Sequence, residues 1–233
     1  MRPFLFLLML LLAPTAYACG PDSDCILGDR SYRISIPEGA TAPVGAVIWA
    51  HGYRGSAEGV MRNASLRKML HAQGLALIAA QGVGGTWALP NGPRTPDSTG
   101  AAEFAYFNAV IADAKARFGI DPARLVASGF SAGGMMVWNL ACAQPDVFAG
   151  FVPVSGTFWL QPPAQCASPA ASIVHLHGGF DAPNSVIAGP LRCDRSSNKA
   201  GEILEFCLFE GGHSFRTEYL AYALERLKAA GRL

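Results

Sequence analysis

Apolar positions along this chain follow two alternating periods. Runs at 31–37, 45–51, 75–80, 150–154, 172–177 and 203–209 are alternating or continuously apolar, with turn residues at most of their ends. Such runs predict strands, and the continuous ones predict strands covered on both faces. Between them, 58–73, 101–118, 135–141 and 214–228 read as helices. The second of these sets Phe104, Phe107, Val110, Ile111 and Ala114 at helical spacing. Strand and helix patterns alternate, as βαβ construction around a parallel sheet requires. One interruption is long. Residues 82–100 form a Gly-rich loop with Trp87, Pro90, Pro93 and Pro96, and its length in a compact domain suits it to line a site.

The chemistry enters at Arg124-Leu-Val-Ala-Ser-Gly-Phe-Ser131-Ala-Gly-Gly134. A β-branched and small apolar strand runs into Gly129-Phe-Ser131-Ala-Gly133, and a helical run free of Gly and Pro follows. Gly-x-Ser-x-Gly in that setting predicts a nucleophile elbow, with the Ser131 hydroxyl raised above the sheet beside a helix N-terminus. The competing reading is an ordinary turn in a chain that holds 26 glycines.

A serine hydroxyl attacks a carbonyl only when a base removes its proton and a third group orients the base. Asp181 follows the 172–177 strand through Gly178-Gly179-Phe180, and His213 follows the 203–209 strand through Glu210-Gly-Gly212. The order Ser131, Asp181, His213 is the one a doubly wound hydrolase uses. Among other acids, Glu210 stays open as an alternative because of its closeness to His213. Two N–H donors must hold the oxyanion. Ala132, after the nucleophile, is one; Tyr53, in His51-Gly52-Tyr53, is the other, with His51 bracing that loop. Trp87, Phe158, Trp159 and Phe180 are candidate substrate-binding walls. His175 and His177 share a strand face and raise a metal-dependent alternative, but no carboxylate-rich motif accompanies them. The triad chemistry calls for no metal and no cofactor.

Hydrophobic residues make up 51% of the chain, charged residues 15%, and the net charge is +1, with no basic run. Nucleic acid and anionic membrane surfaces are therefore not expected partners. The N-terminus changes the picture further. Arg2, an apolar stretch at 4–12 and Ala16-Tyr17-Ala18 read as a secretory signal cleaved after Ala18, too short to span a bilayer. Lipid attachment at Cys19 is the variant reading. Residues 19–233 then form one catalytic domain, secreted or periplasmic. All six cysteines lie in it. Three disulfides are expected and fifteen pairings are possible; the nearest-neighbour set is Cys19–Cys25, Cys142–Cys166 and Cys193–Cys207.

Four segments carry a family resemblance: Cys25-Ile-Leu-Gly-Asp-Arg-Ser-Tyr-Arg33, the run from Asp121-Pro-Ala-Arg124 to Met136, His177-Gly-Gly-Phe-Asp181, and Gly211-Gly-His213. In these the chain resembles the secreted polyhydroxybutyrate depolymerase-like esterases, which are related to feruloyl and acetylxylan esterases. The resemblance implies an α/β-hydrolase fold, a doubly wound, mostly parallel sheet in a single compact domain without a large lid. It implies Ser131, Asp181 and His213 as the triad. The chain departs from the pattern at Ala182-Pro-Asn-Ser-Val186 and at Ser214-Phe215, both of which bear on the pocket wall. The expected activity is hydrolysis of carboxylic esters, either a hydroxyalkanoate oligomer or polyester or an acylated polysaccharide. A peptidase or thioesterase of the same fold and a catalytically silent envelope binding protein are the rivals, and the oligomeric state stays open.

Overall fold

Continuous apolar strands need cover on both faces, and here they have it. The computed structural model describes residues 19–90, 92–159, 162–179, 191–197 and 203–233; the expected signal segment, 1–18, lies outside these. Among the described residues the strands are β1 (Cys25–Leu27), β2 (Arg30–Ser35), β3 (Val44–Ala50), β4 (Leu75–Ala80), β5 (Ile120–Phe130), β6 (Gly150–Val154), β7 (Ile173–Gly178), β8 (Arg192–Ser197) and β9 (Ile203–Phe209). The helices are α1 (Ala57–Arg62), α2 (Ala64–Ala72), α3 (Ala101–Phe118), α4 (Ala132–Ala143) and α5 (Thr217–Ala229). One sheet runs in the order β1-β2-β4-β3-β5-β6-β7-β9-β8. Its middle, from β4 to β9, is parallel. Antiparallel pairs close both edges: β1 on β2, β2 on β4, and β8 on β9.

The period-2 alternation splits the core in two. Ala46, Ile48 and Ala50 of β3 face one side with Phe107, Val110, Met136 and Leu140 of α3 and α4. Val47 and Trp49 face the other with Leu66 and Leu70 of α2 and Leu220, Leu224 and Leu227 of α5. Each such aliphatic side chain, withdrawn from water, contributes roughly 1.5–3 kcal/mol. That double cover is why β3 and β4 read as unbroken apolar runs.

The structure corrects the expected elements in four places. The 58–73 helix is two helices, because Asn63 ends α1 with its N–H on the Val60 carbonyl and caps α2 by accepting from Leu66 N–H at 3.0 Å. The last helix begins at Thr217 rather than 214, since the residues after His213 stay in the loop. The short strand β1 and the edge strand β8 were not expected; β8, mostly polar, carries no core-facing signal. Cys193 faces Cys207 across β8 and β9, and the pair is bonded (S–S 2.09 Å), as are Cys19–Cys25 (2.00 Å) and Cys142–Cys166 (2.04 Å).

The two histidines of β7 form a directed chain. Trp138 Nε1–H donates to His175 Nδ1 (3.1 Å), so His175 carries its proton on Nε2 and donates to His177 Nδ1 (3.0 Å). Both ring nitrogens of His175 are thus engaged, which leaves that ring no lone pair for a metal. Burial, with His177 adding a smaller effect, lowers the His175 pKa from 6.5 to about 3.

Two expectations follow. His175 stays neutral in the fold while the unfolded chain protonates below 6.5, so its contribution is complete above 6.5 and is lost as pH falls towards 3. At about pH 5 the loss from this group is on the order of 2 kcal/mol. Urea midpoints across that range should fall with acid, and less steeply in His175→Gln. The second concerns α4, whose first turn lies so close to β3 that a Cβ on Gly133 would collide with the Ala50 carbonyl oxygen. Gly133→Ala should cost about 2–3 kcal/mol or more in urea unfolding. Gly59→Ala, on the exposed face of α1 with ordinary space around it, should instead gain about 0.5–1 kcal/mol.

Candidate active site

The parallel strands deliver their carboxyl ends to one edge, where open α/β sheets bind ligands. β5 ends there in Phe130, and Ser131 follows with φ 57° and ψ −117°, a conformation L residues avoid. Its N–H donates to the Val154 carbonyl (2.9 Å) and its own carbonyl accepts from Met135 N–H (3.0 Å), so neighbouring backbone holds the strain of about 1–3 kcal/mol in place. The flanking glycines are sterically required: a Cβ on Gly129 would stand 2.6 Å from the Gly133 carbonyl oxygen. Ala132 opens α4, and the N–H of a first helical residue has no intrahelical acceptor.

His213 reaches the same point from the loop between β9 and α5. Its Nε2 lies 2.8 Å from Ser131 Oγ, and its ring packs on Phe130 with centroids 4.8 Å apart. The loop is anchored from β6. Ser155, buried with φ 47°, donates N–H to the Leu176 carbonyl (2.8 Å) and Oγ–H to the Ser214 carbonyl (3.2 Å). Phe215 adds an edge contact to Trp49 at 4.7 Å. Sequence reasoning passed over Ser155. Its one signal was its place just past β6, the neighbour of the nucleophile strand.

Tyr53 and Ala132 line one cleft with Ser131, a space of about 440 Å³ closed by Trp87, Met135 and Trp159. The loop bearing Tyr53 is pinned by Arg54 N–H to the Gly85 carbonyl (2.8 Å) and Gly55 N–H to the Gly52 carbonyl (2.9 Å). His51 joins that loop to the 82–100 loop. Its Nε2 accepts from Gly82 N–H (2.9 Å), so the ring proton sits on Nδ1 and goes to the Gly52 carbonyl (2.8 Å). The His51 carbonyl in turn accepts from Trp87 Nε1–H (2.8 Å). Burial lowers the His51 pKa and keeps the imidazole neutral in this role. The far end of the loop is held by Glu103, buried, which pairs with Arg30 (2.9 Å) and accepts from Ala88 N–H (3.0 Å).

The expected walls divide. Trp87, almost fully buried, and Trp159, about half exposed, line the Ser131 cleft. Phe158 does not: it packs on Trp138 (5.7 Å) and lines a larger cavity of about 720 Å³ with Cys142, Cys166 and Phe206. Ser168 lines that cavity with no His or acid among its lining residues, whereas Ser131, in the smaller cleft, has His213 at its hydroxyl. Phe180 and Asp181 lie outside the described residues. Arg94 and Met135 line the cleft without having been anticipated.

Comparison with known proteins places this geometry. Residues 65–161 match the Prolyl oligopeptidase family, a segment that includes the Ser131 turn. NocK of Nocardia uniformis subsp. tsuyamanensis, an esterase by name, is 36% identical over 58% of this chain and 40% of its own. Poly(3-hydroxyalkanoate) depolymerase C of Paucimonas lemoignei is 36% identical over 31% of this chain and 16% of its own. A feruloyl esterase C of Aspergillus niger is 27% identical over 56% and 47%. The chain spans less than half the length of these curated relatives. Among solved structures, acetyl xylan esterase from Aspergillus awamori superposes with a TM-score of 0.62 at 14% identity, covering 93% of this chain and 97% of that one. S-formylglutathione hydrolase from Staphylococcus aureus gives 0.56 at 14% identity, over 86% and 90%. The parallel sheet, the strained serine turn and the order of the elements are those of one architecture: this chain has the α/β-hydrolase fold.

Proposed function

We propose that this protein is a secreted serine esterase that works through an acyl-enzyme. The observation that carries the reading is the 2.8 Å approach of His213 Nε2 to Ser131 Oγ at the apex of a strained turn. His213 takes the Ser131 proton as the oxygen attacks the ester carbonyl. The tetrahedral oxyanion is assigned to the N–H groups of Ala132 and Tyr53, two residues that line the same cleft as Ser131. The C–O bond to the alcohol breaks, and the alcohol leaves with the proton from His213. Water, deprotonated by His213, then attacks the acyl-serine and releases the acid. Asp181, just beyond β7, is assigned to fix the imidazole tautomer and stabilise its charged form. The named esterase and depolymerase relatives favour a carboxylic ester substrate, a hydroxyalkanoate oligomer or polyester or an acylated polysaccharide. Three disulfides fit an oxidising compartment, and the bond from Cys19 to Cys25 leaves no thiol at Cys19 for a lipid. Among the described residues no helix is long and apolar enough to cross a membrane. A second reading, a peptidase, is favoured by the match of 65–161 to the Prolyl oligopeptidase family.

Hydrolysis of p-nitrophenyl acetate, butyrate and octanoate should occur and fall by a factor on the order of 10⁴–10⁶ in Ser131→Ala. Asp181→Asn should lose about 10⁴ in kcat, while Glu210→Gln stays within a few-fold. Cleavage of a proline-containing peptide p-nitroanilide in preference to all three esters would establish the peptidase instead. Equal ester activity in the parent and Ser131→Ala would remove the serine assignment altogether.

A further inference from the structure

The cleft beside Ser131 is lined almost wholly by neutral side chains. One carries a formal charge: Arg94, exposed on the 82–100 loop, and no acid lines the space with it among the described residues. The Arg94 guanidinium lies over the Tyr53 ring, 4.7 Å from its centroid, and Arg54 approaches the same ring at 5.3 Å. Neither arginine has an ion-pair partner among the described residues. Elsewhere Arg30, Arg33, Arg62, Arg117, Arg216 and Arg226 are each paired with an Asp or Glu, while Arg67, Arg124 and Arg232 have no such pair among the described residues but lie outside the cleft. The net charge of +1 shows that this positive end is local rather than a property of the whole chain.

Its backbone support is independent of the charge. Arg54 sits at φ 60°, a conformation that costs a non-glycine residue stability, and its N–H is clamped to the Gly85 carbonyl. Tyr53 thereby stays at the mouth of the cleft as a platform for Arg94. A planar guanidinium set on an aromatic face, with no hydrogen bond from its N–H edge among the described residues, is suited to forked binding of a carboxylate. A wholly neutral ester makes no ion pair with that group.

From this we infer that the substrate is an ester bearing a free carboxylate, which pairs with Arg94 while the scissile carbonyl lies at Ser131. The inference rests on the esterase reading above and narrows its substrate class. An oligomer of a hydroxy acid ends in such a carboxylate by construction. The bond cleaved and the fate of the proton are unchanged; the acid serves only to place the chain. Arg94 is a specificity-determining residue.

The test compares mono-p-nitrophenyl succinate, glutarate and adipate with p-nitrophenyl butyrate, valerate and hexanoate, which present chains of similar length without the acid. The measured quantity is the ratio of kcat/KM for each acidic ester to its neutral counterpart. The parent should favour at least one acidic ester, and the chain length at the maximum reports the span from Ser131 to Arg94. Arg94→Gln should lower that ratio about tenfold, Arg94→Glu should lower it further, and Arg94→Lys should keep part of it. The advantage should also shrink as NaCl rises from about 0.02 M to about 0.5 M. An arginine that only staples the loop would shift both esters together and leave the ratio and its salt dependence unchanged, which would overturn the inference. So would a parent that prefers every neutral ester. Hydrolysis of neither series by folded parent protein would instead sink the esterase reading, and this inference with it, a result the neutral esters alone make visible.

Discussion

The close approach of α4 to β3 is the constraint on which the rest of the site depends. The carbonyl oxygen of Ala50 occupies the space a side chain at position 133 would need. Only a glycine there lets the helix start directly above the sheet, and only that start forces Ser131 into its unusual backbone angles. The parallel ladder, which pairs Ala50 with Gly129, brings the ends of β3 and β5 level, and that close approach seats α4 above them. Gly52 and Tyr53 follow from one, Ser131 and Ala132 from the other. The cleft is the space between two strand ends that steric exclusion sets at a fixed height.

What surrounds that space is held by polar contacts between segments distant in sequence. His51 ties the Tyr53 loop to Gly82 and Trp87, and Ser155 ties the His213 loop to the end of β6. Glu103 fastens the 82–100 loop to the first turn of α3 and to Arg30. In each case a buried side chain satisfies loop backbone that would otherwise be left unpaired in the interior. The loops therefore have defined shapes with little secondary structure of their own, a short 3-10 turn at Val83–Gly85 apart. This suits a catalytic rim, which needs precise placement on a rigid scaffold.

The sequence was legible wherever one local period dominated. Leu75–Ala80, Ala101–Phe118, Gly150–Val154 and Ile203–Phe209 match their expected bounds, because each keeps one period: the first and third are buried throughout, Ala101–Phe118 buries one helical face, and Ile203–Phe209 alternates. Helix 58–73 was misread as continuous because Asn63 is tolerated in helices, and its capping role depends on where the chain turns. Strand β8 was missed because an edge strand can be polar and still complete the ladder. At the site, Ser131 and His213 were legible from turn chemistry and position after strands. Arg94 and Ser155 were not, since nothing local separates an arginine on a cleft from one in solvent. Phe158 lines the larger cavity and Trp159 the Ser131 cleft, because neighbouring aromatics in a loop point in different directions.

The three disulfides join 19 to 25, 142 to 166 and 193 to 207, so every cysteine is bonded to the one beside it in sequence. A chain threaded through a membrane N-terminus first presents its thiols in that same order. An oxidant that links each odd-numbered thiol to the next one to emerge produces the native set with no pair to reshuffle. For a chain exported in that way, a donor of oxidising equivalents would suffice to make the native set, with no wrong pair for an isomerase to correct.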